Sequence, residues 1–389
     1  MPAARPGLAV LEGAATITPD SREIMAEWDI SFVPAMRDSA VISLNAGFRV
    51  TGLRGPLVER YSSEVQDGVL RVTVHLKATS GASPTTVHVA YAGVLEAPGD
   101  SINGLSHDWI ELGADSYWQP SVDLDRDVAR VRLIVPNGFT LAASGSFARD
   151  GDSVFVLTNA IPLPDVAFTG SRAFMRADSG GTSVLFTKQR TPLVGVLLAT
   201  TESCAQYLNE VYGARESLPH RTMVLAPRGG PGYARKNYIV ITQVDTSAVG
   251  VARFVCHELA HFWSLRANSQ GPDNWLNEGI AEFVAAQYVR TLIGTRDYDS
   301  IVESWRRVAQ NQPAVWTPQL TRRPSGMVAY RKAPFLLTQL EAHVGMERMS
   351  RIIQRYMVEE ITTTPELLKV IEQEAGSGNA EWFRVRLSQ

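Results

Sequence analysis

His257 and His261 stand four positions apart with Glu258 between them, in the run His257-Glu258-Leu259-Ala260-His261. On a helix, residues four apart share a face. Both imidazoles can then bind one Zn²⁺ while Glu258 projects beside the open coordination position. Phe254, Val255, Leu259, Phe262 and Trp263 are apolar and no Gly or Pro interrupts, so this run predicts a helix. Glu278 follows seventeen positions after His261, in Trp275-Leu276-Asn277-Glu278-Gly279-Ile280-Ala281-Glu282-Phe283. Gly271-Pro272 lies between the two segments and permits the chain to reverse. A second helix packed antiparallel to the first would bring Glu278 to the metal. Two histidines and one carboxylate leave a fourth position for water, as catalytic zinc requires. Plainer readings fit the same residues: Glu278 as an acid complementing a helix dipole, and the histidines as a polar core patch or a closed zinc staple. A staple needs a fourth protein ligand, and Cys256 points off the histidine face.

The chemistry that follows is hydrolysis. Zinc lowers the pKa of a bound water and polarises a carbonyl. Glu258 takes the proton from that water and passes it to the leaving group. Glu282 lies one turn after Glu278 and is placed to accept a hydrogen bond from a ligand histidine; a solvated salt bridge is the other reading.

The elements that position these residues change character along the chain. The first ~175 residues read as β: VISLNAGFRVTGL, LRVTVHLKA, TTVHVAYAGVL, ARVRLIVP, FTLAASG and DSVFVLTN alternate in polarity. Turn signals separate them at Gly55-Pro56, Asp67-Gly68, Pro98-Gly99-Asp100, Pro136-Asn137-Gly138 and Arg149-Asp150-Gly151-Asp152. This spacing predicts a β-sandwich or a saddle-like pair of sheets. A break at Ser179-Gly180-Gly181 marks a boundary, giving domains over 1–178 and 179–389. Beyond it, VLLATTESCAQYLNEVYG predicts a helix ending at Gly213, and RTMVLAP and NYIVITQV predict strands. Past Val249 the chain reads as mostly helical: the zinc helix, a helix from about Asn277 to Leu292 with Asn274 or Asn277 as cap, and helices after Pro334, at MERMSRIIQRYM and from Thr364 as cap. The fold class is α+β. With 389 residues, two or three domains are expected.

Composition narrows the partners. The net charge of −3 is well mixed and no basic stripe exists, which argues against nucleic acid. No apolar run is long enough to span a bilayer. The opening MPAARPGLAVLEGAA does not read as a signal peptide, so cytoplasm, or periplasm or secretion after removal of a signal, are both compatible. Cys204 and Cys256 make no disulfide framework and are expected as free buried thiols.

The pair of zinc motifs resembles the gluzincin metallopeptidases, and in particular the aminopeptidase N family. The stretch AYRKAPFLLTQLEAHVG is similar to that family's segment carrying a catalytic tyrosine, usually Tyr-Glu-Lys-Gly, which implies Tyr330 as the oxyanion-stabilising hydroxyl. DWIELGADSYWQP and VPNGFTLAASG resemble the family's N-terminal saddle domain. The resemblance implies a thermolysin-like catalytic domain, one Zn²⁺ per chain, and a peptide or protein substrate. Where the family has Gly-x-Met-Glu-Asn, whose Glu binds the substrate's amino group, this chain has RGGPGYARKNYIVI. Gly229 and Gly230 remain as substrate-binding candidates, but the acidic anchor is replaced by Arg228, Arg235 and Lys236. Cations repel an ammonium group. The His261–Glu278 spacing is also shorter than the family's usual one, and the chain stops where that family's helical C-terminal domain begins. The expected function is a zinc metallopeptidase with atypical recognition of the substrate N-terminus, exo- or endo-acting. A zinc hydrolase of a non-peptide bond, or a degenerate scaffold that binds peptides without cutting, are the alternatives.

Overall fold

Alternation is realised most plainly in Glu23–Phe32, where every second side chain is buried, Ile24, Trp28 and Ile30 among them. A strand with one apolar face must cover that face with a second layer, and the computed structural model shows how. It describes residues 3–4, 8–33, 38–77, 83–96, 104–122, 127–213, 216–230, 232–242 and 247–389. The expected turn at 98–100 lies outside them.

Two compact units emerge. The first comprises Met1–Arg176, Leu185–Gln189 and Val224–Pro231; the second comprises Ala177–Val184, Arg190–Met223 and Gly232–Gln389.

In the first unit, a seven-stranded sheet runs in the order Ser146–Arg149, Val154–Leu163, Asp127–Ile134, Ala9–Thr18, Glu23–Phe32, Thr85–Val94, Phe48–Arg54. Its centre is a parallel pair between Ala9–Thr18 and Asp127–Ile134. A four-stranded sheet orders Ser121–Val122, Ser39–Asn45, Val69–Leu76 and Val58–Gln66, and another orders Thr140–Ala143, Phe168–Ser171, Trp109–Leu112 and Gly104–Ser106. Asp67 and Gly68 both take positive φ (52° and 76°), the backbone that a two-residue hairpin between Val58–Gln66 and Val69–Leu76 demands. Trp118, fully buried, stacks edge-on against both Trp28 and Phe168, at 5.8 and 5.4 Å between ring centroids. Its indole N–H donates to the Val166 carbonyl, as a buried indole requires.

A five-stranded sheet orders Met175–Ser179, Thr182–Phe186, Arg221–Leu225, Tyr238–Ile241 and Tyr233–Arg235. The Ser179-Gly180-Gly181 break is the turn between its first two strands, with Gly180 at φ +52°.

The second unit is built on eight α-helices among the described residues: α1 Thr191–Tyr212, α2 Ala248–Ser264, α3 Asn274–Tyr288, α4 Thr295–Ala309, α5 Ala333–Val344, α6 Met346–Val358, α7 Thr364–Ala375 and α8 Ser377–Leu387. Short π-helical turns, Val289–Ile293 and Val328–Lys332, continue α3 and lead into α5. The α+β reading, with a strand-rich first part and a helical second part, is borne out. No described helix is long and apolar enough to cross a membrane.

Three local expectations are corrected. Helix α3 starts at Asn274 rather than near Asn277, and neither asparagine caps it; both are buried in its first turn. Helix α7 is entered through Thr363, whose N–H donates to Glu366 at 3.0 Å in a capping box. Thr364 instead bonds Asp273 through its N–H and hydroxyl, and its oxygen accepts the Trp275 indole N–H. The cysteines are joined: Cys204 on α1 and Cys256 on α2 form a disulfide, with Cα atoms 5.7 Å apart. Their separation of 52 residues hid the pairing, because only the packing of α1 on α2 brings them together.

Candidate metal centre

Helix α2 begins at Ser247, whose hydroxyl accepts the Gly250 N–H at 3.0 Å. From Cys256 to Ser264 every residue is buried, so the histidine face is set inside the unit. Helix α3 is buried along its whole length and packs on α2. The loop between them is organised by Asn277, which is fully buried. Its Oδ1 accepts the N–H groups of Arg266 and Ala267, and its Nδ2 donates to the Ala267 carbonyl, all at 3.0 Å. That bonding fixes the residue directly before Glu278.

The result is a triangle of donor atoms. His257 Nε2 and His261 Nε2 are 3.1 Å apart, and Glu278 Oε2 lies 3.5 and 3.4 Å from them. Three donors held at zinc's usual bond length in tetrahedral geometry stand about 3.3 Å from one another. Among the described residues, no group donates a well-formed hydrogen bond to the buried Glu278 Oε2. A buried acceptor left without a donor is costly, and a cation at the centre of the triangle relieves that cost. Among the described residues, this trio is the group of histidines and acids close enough to share one ion. The residues therefore fit a zinc ion.

Electrostatics are consistent with that fit. Burial works against ionisation of Glu278, but the two imidazoles outweigh it and hold the carboxyl well below its ordinary range. Burial likewise opposes charging of His257, yet Glu278, Glu282 and Glu258 push its pKa up to about 9. The pocket thus demands positive charge. Glu258 behaves differently: burial raises its pKa against the pull of His257 and His261.

Tyr330 sits in the π-helical turn Val328–Lys332, and its ring stacks on that of His257 at 5.6 Å. Gly279 explains the approach. A side chain there would meet the Cβ of Ala333, the first residue of α5 directly after that turn, at 2.8 Å, so only glycine admits this approach to α3. Burial, then the charges of Glu278 and Glu258, raise the Tyr330 pKa far above its ordinary value, so its hydroxyl keeps its proton and can donate.

The structure brings His257, Glu258, His261, Glu278, Glu282 and Tyr330 together. Glu282 Oε1 is 3.9 Å from His257 Nδ1, too far for a hydrogen bond, and its main partner is Arg253 at 2.9 Å. Gly229 and Gly230 lie in a loop that clusters with the first unit. The three cations expected to repel an ammonium are engaged. Arg228 donates to both carboxylate oxygens of buried Glu111, at 2.8 and 2.6 Å. Lys236 Nζ donates to the Phe262 carbonyl at 3.1 Å, near the C-terminal end of α2. Arg235 lies over the Tyr233 ring and draws the Glu258 pKa downward. Arg253 and Arg331, which sequence reasoning passed over, both reach Glu282.

Comparison with known proteins agrees with the motif reading. Residues 233–383 match the model described as Peptidase family M1 domain. An aminopeptidase N of Haemonchus contortus is 26% identical over 180 residues, 40% of this chain and 18% of that protein. The match thus spans about a fifth of that relative's length. An M1 zinc metallopeptidase from Deinococcus radiodurans has a similar fold, with TM-score 0.75 and 17% identity over 99% of this chain and 94% of its own. A variant of the Deinococcus radiodurans enzyme, described as bound to a Tyr-Ser-Ala substrate, aligns with TM-score 0.72 and 17% identity over 100% and 94% of the two chains.

Proposed function

We propose that this chain, which carries a peptidase family M1 domain over residues 233–383, is a zinc-dependent metallopeptidase with one Zn²⁺ per chain. The observation that carries the reading is the buried His257–His261–Glu278 triangle, with Glu258 on the same helix and Tyr330 stacked against His257. When bound, zinc supplies Lewis acidity toward a substrate carbonyl and a nearby water.

The protein groups divide the remaining work. Glu258, its pKa raised by burial, removes the proton from the attacking water and returns it to the leaving nitrogen. Tyr330, held protonated, donates a hydrogen bond to the oxyanion that develops on the former carbonyl. The segment around Gly229 and Gly230, the candidate for peptide binding, contains no carboxylate to anchor an ammonium. Recognition of the substrate N-terminus is therefore atypical, and a free amino terminus is not required for cleavage. The Tyr-Ser-Ala substrate of the similarly folded Deinococcus radiodurans variant supports peptides as the substrate class.

The test is hydrolysis of paired peptides, one with a free amino terminus and one acetylated, by the zinc-loaded protein. Cleavage of both is expected. Cleavage of the free peptide alone overturns the statement about N-terminal recognition, and cleavage of neither removes the peptidase reading and leaves a different scissile bond or a binding role.

A further inference from the structure

Arg253 and Arg331 converge on one buried carboxylate from two different elements. Arg253 lies on α2, one turn before His257, and its Nε donates to Glu282 Oε2 at 2.9 Å. Arg331 directly follows Tyr330 in the π-helical turn. Its Nη1 stands 3.5 Å from Glu282 Oε1 and also donates to the backbone carbonyl of Tyr330 at 2.8 Å. Glu282 sits on α3, one turn after Glu278, with a side chain only 10% exposed.

One carboxylate thus faces all three elements that supply the site: the zinc helix, the helix of Glu278 and the turn of Tyr330. A carboxylate can accept at both oxygens, and a guanidinium can serve two acceptors from its rigid fork. Exposed ion pairs are weak, whereas a charge-assisted bond to a buried carboxylate, as from Arg253 at 2.9 Å, is strong and directional; Arg331 at 3.5 Å adds a longer contact. The link to Tyr330 runs through main chain, so it sets where the ring and hydroxyl stand without touching either.

We infer that Glu282, clamped by Arg253 and Arg331, is a three-way junction that fixes the spacing of α2, α3 and the Tyr330 turn, and that Arg331 is the residue positioning the Tyr330 hydroxyl. The part concerning Tyr330 rests on the peptidase reading above. The part concerning the metal does not.

Two measurements test it. The first is chelator competition for zinc, which needs no activity. Arg253→Ala and Glu282→Gln weaken zinc binding about tenfold, the usual scale for groups supporting a metal ligand. Unchanged zinc affinity in both variants, at unchanged melting temperature, overturns the junction. The second is a double-mutant cycle on peptide hydrolysis. Arg331→Ala lowers kcat about tenfold or more with KM nearly unchanged, and costs little further in a Tyr330→Phe background, because coupled residues are non-additive. An equal loss in both backgrounds, or a loss confined to KM, overturns the positioning role; Arg331→Lys, which cannot hold both acceptors, recovers only part of the rate. A wild-type protein that binds zinc and cleaves no peptide refutes the peptidase reading alone, and the junction is then decided by the chelator competition.

Discussion

Two buried carboxylates, Asp127 in the β-rich unit and Glu278 in the helical one, sit under opposite regimes. In the β-rich unit, Asp127 is buried and, among the described residues, one of its oxygens lacks a hydrogen-bond partner and the charged neighbour that acts on it is another acid, Asp165. Burial first, and then that like charge, raise its pKa to about 8. In the helical unit the acids meet positive groups. Glu278 faces two imidazoles and Glu282 two guanidiniums, while Glu341 receives Arg290 through both oxygens at 2.7 and 3.1 Å. The difference teaches how a site is made. A buried acid without a cation is neutralised by a proton, whereas one that must hold a metal is kept ionised by its surroundings. Glu258 lies between these regimes, on the zinc helix yet pushed upward by burial, and that suits a group which takes up and releases a proton. Glu111 shows that the β-rich unit can also pair an acid, through Arg228.

Removing a metal ligand breaks the comparison most severely. His261→Ala should abolish zinc binding and activity together. Hydrogen exchange should then quicken across α2 and α3, while the amides of Ala9–Thr18 and Glu23–Phe32 stay protected; equal loosening of both units would contradict the separate regimes. Tyr330→Phe is next. It should keep zinc and lower kcat by about 10²–10³, the scale for loss of one oxyanion donor, read by steady-state kinetics. Replacing both Cys204 and Cys256 by Ala should lower unfolding free energy by about 2–4 kcal/mol in denaturant titration, with α1 and α2 losing protection first.

The smallest effect concerns Asp127. Between its unfolded value of 3.8 and its folded value of about 8, the folded protein binds a proton that the unfolded chain lacks. Its contribution to stability therefore falls as pH rises through that window, and the cost is complete above it. Asp127→Asn should remove this slope and stabilise the protein at alkaline pH by roughly 1–3 kcal/mol. A variant with the wild-type pH slope between about 4 and 8 would show that Asp127 is ionised in the folded state.

What could be read from the sequence follows the range over which each signal acts. The zinc motifs were legible because a four-residue spacing on a helix is local, and the alternating strands because a period of two is local. Gly279 and Asn277 act through contacts that exist only once helices meet: the close approach of Ala333 in one case, the α2–α3 loop in the other. Nothing in the sequence singles out Arg253 and Arg331; only α3, by placing Glu282 between them, does so. The Cys204–Cys256 pairing and the parallel match of Ala9–Thr18 with Asp127–Ile134 join distant segments and leave no periodic trace.

The central claim is that Glu258 moves the proton at a zinc site built by His257, His261 and Glu278. The most direct measurement is zinc content and peptide hydrolysis, side by side, for the wild type and Glu258→Gln. We expect one zinc per chain in both proteins, and hydrolysis in the variant reduced by about 10²–10⁴. Equal hydrolysis by the two proteins would contradict the role of Glu258, and a wild-type protein that binds no zinc would contradict the site itself.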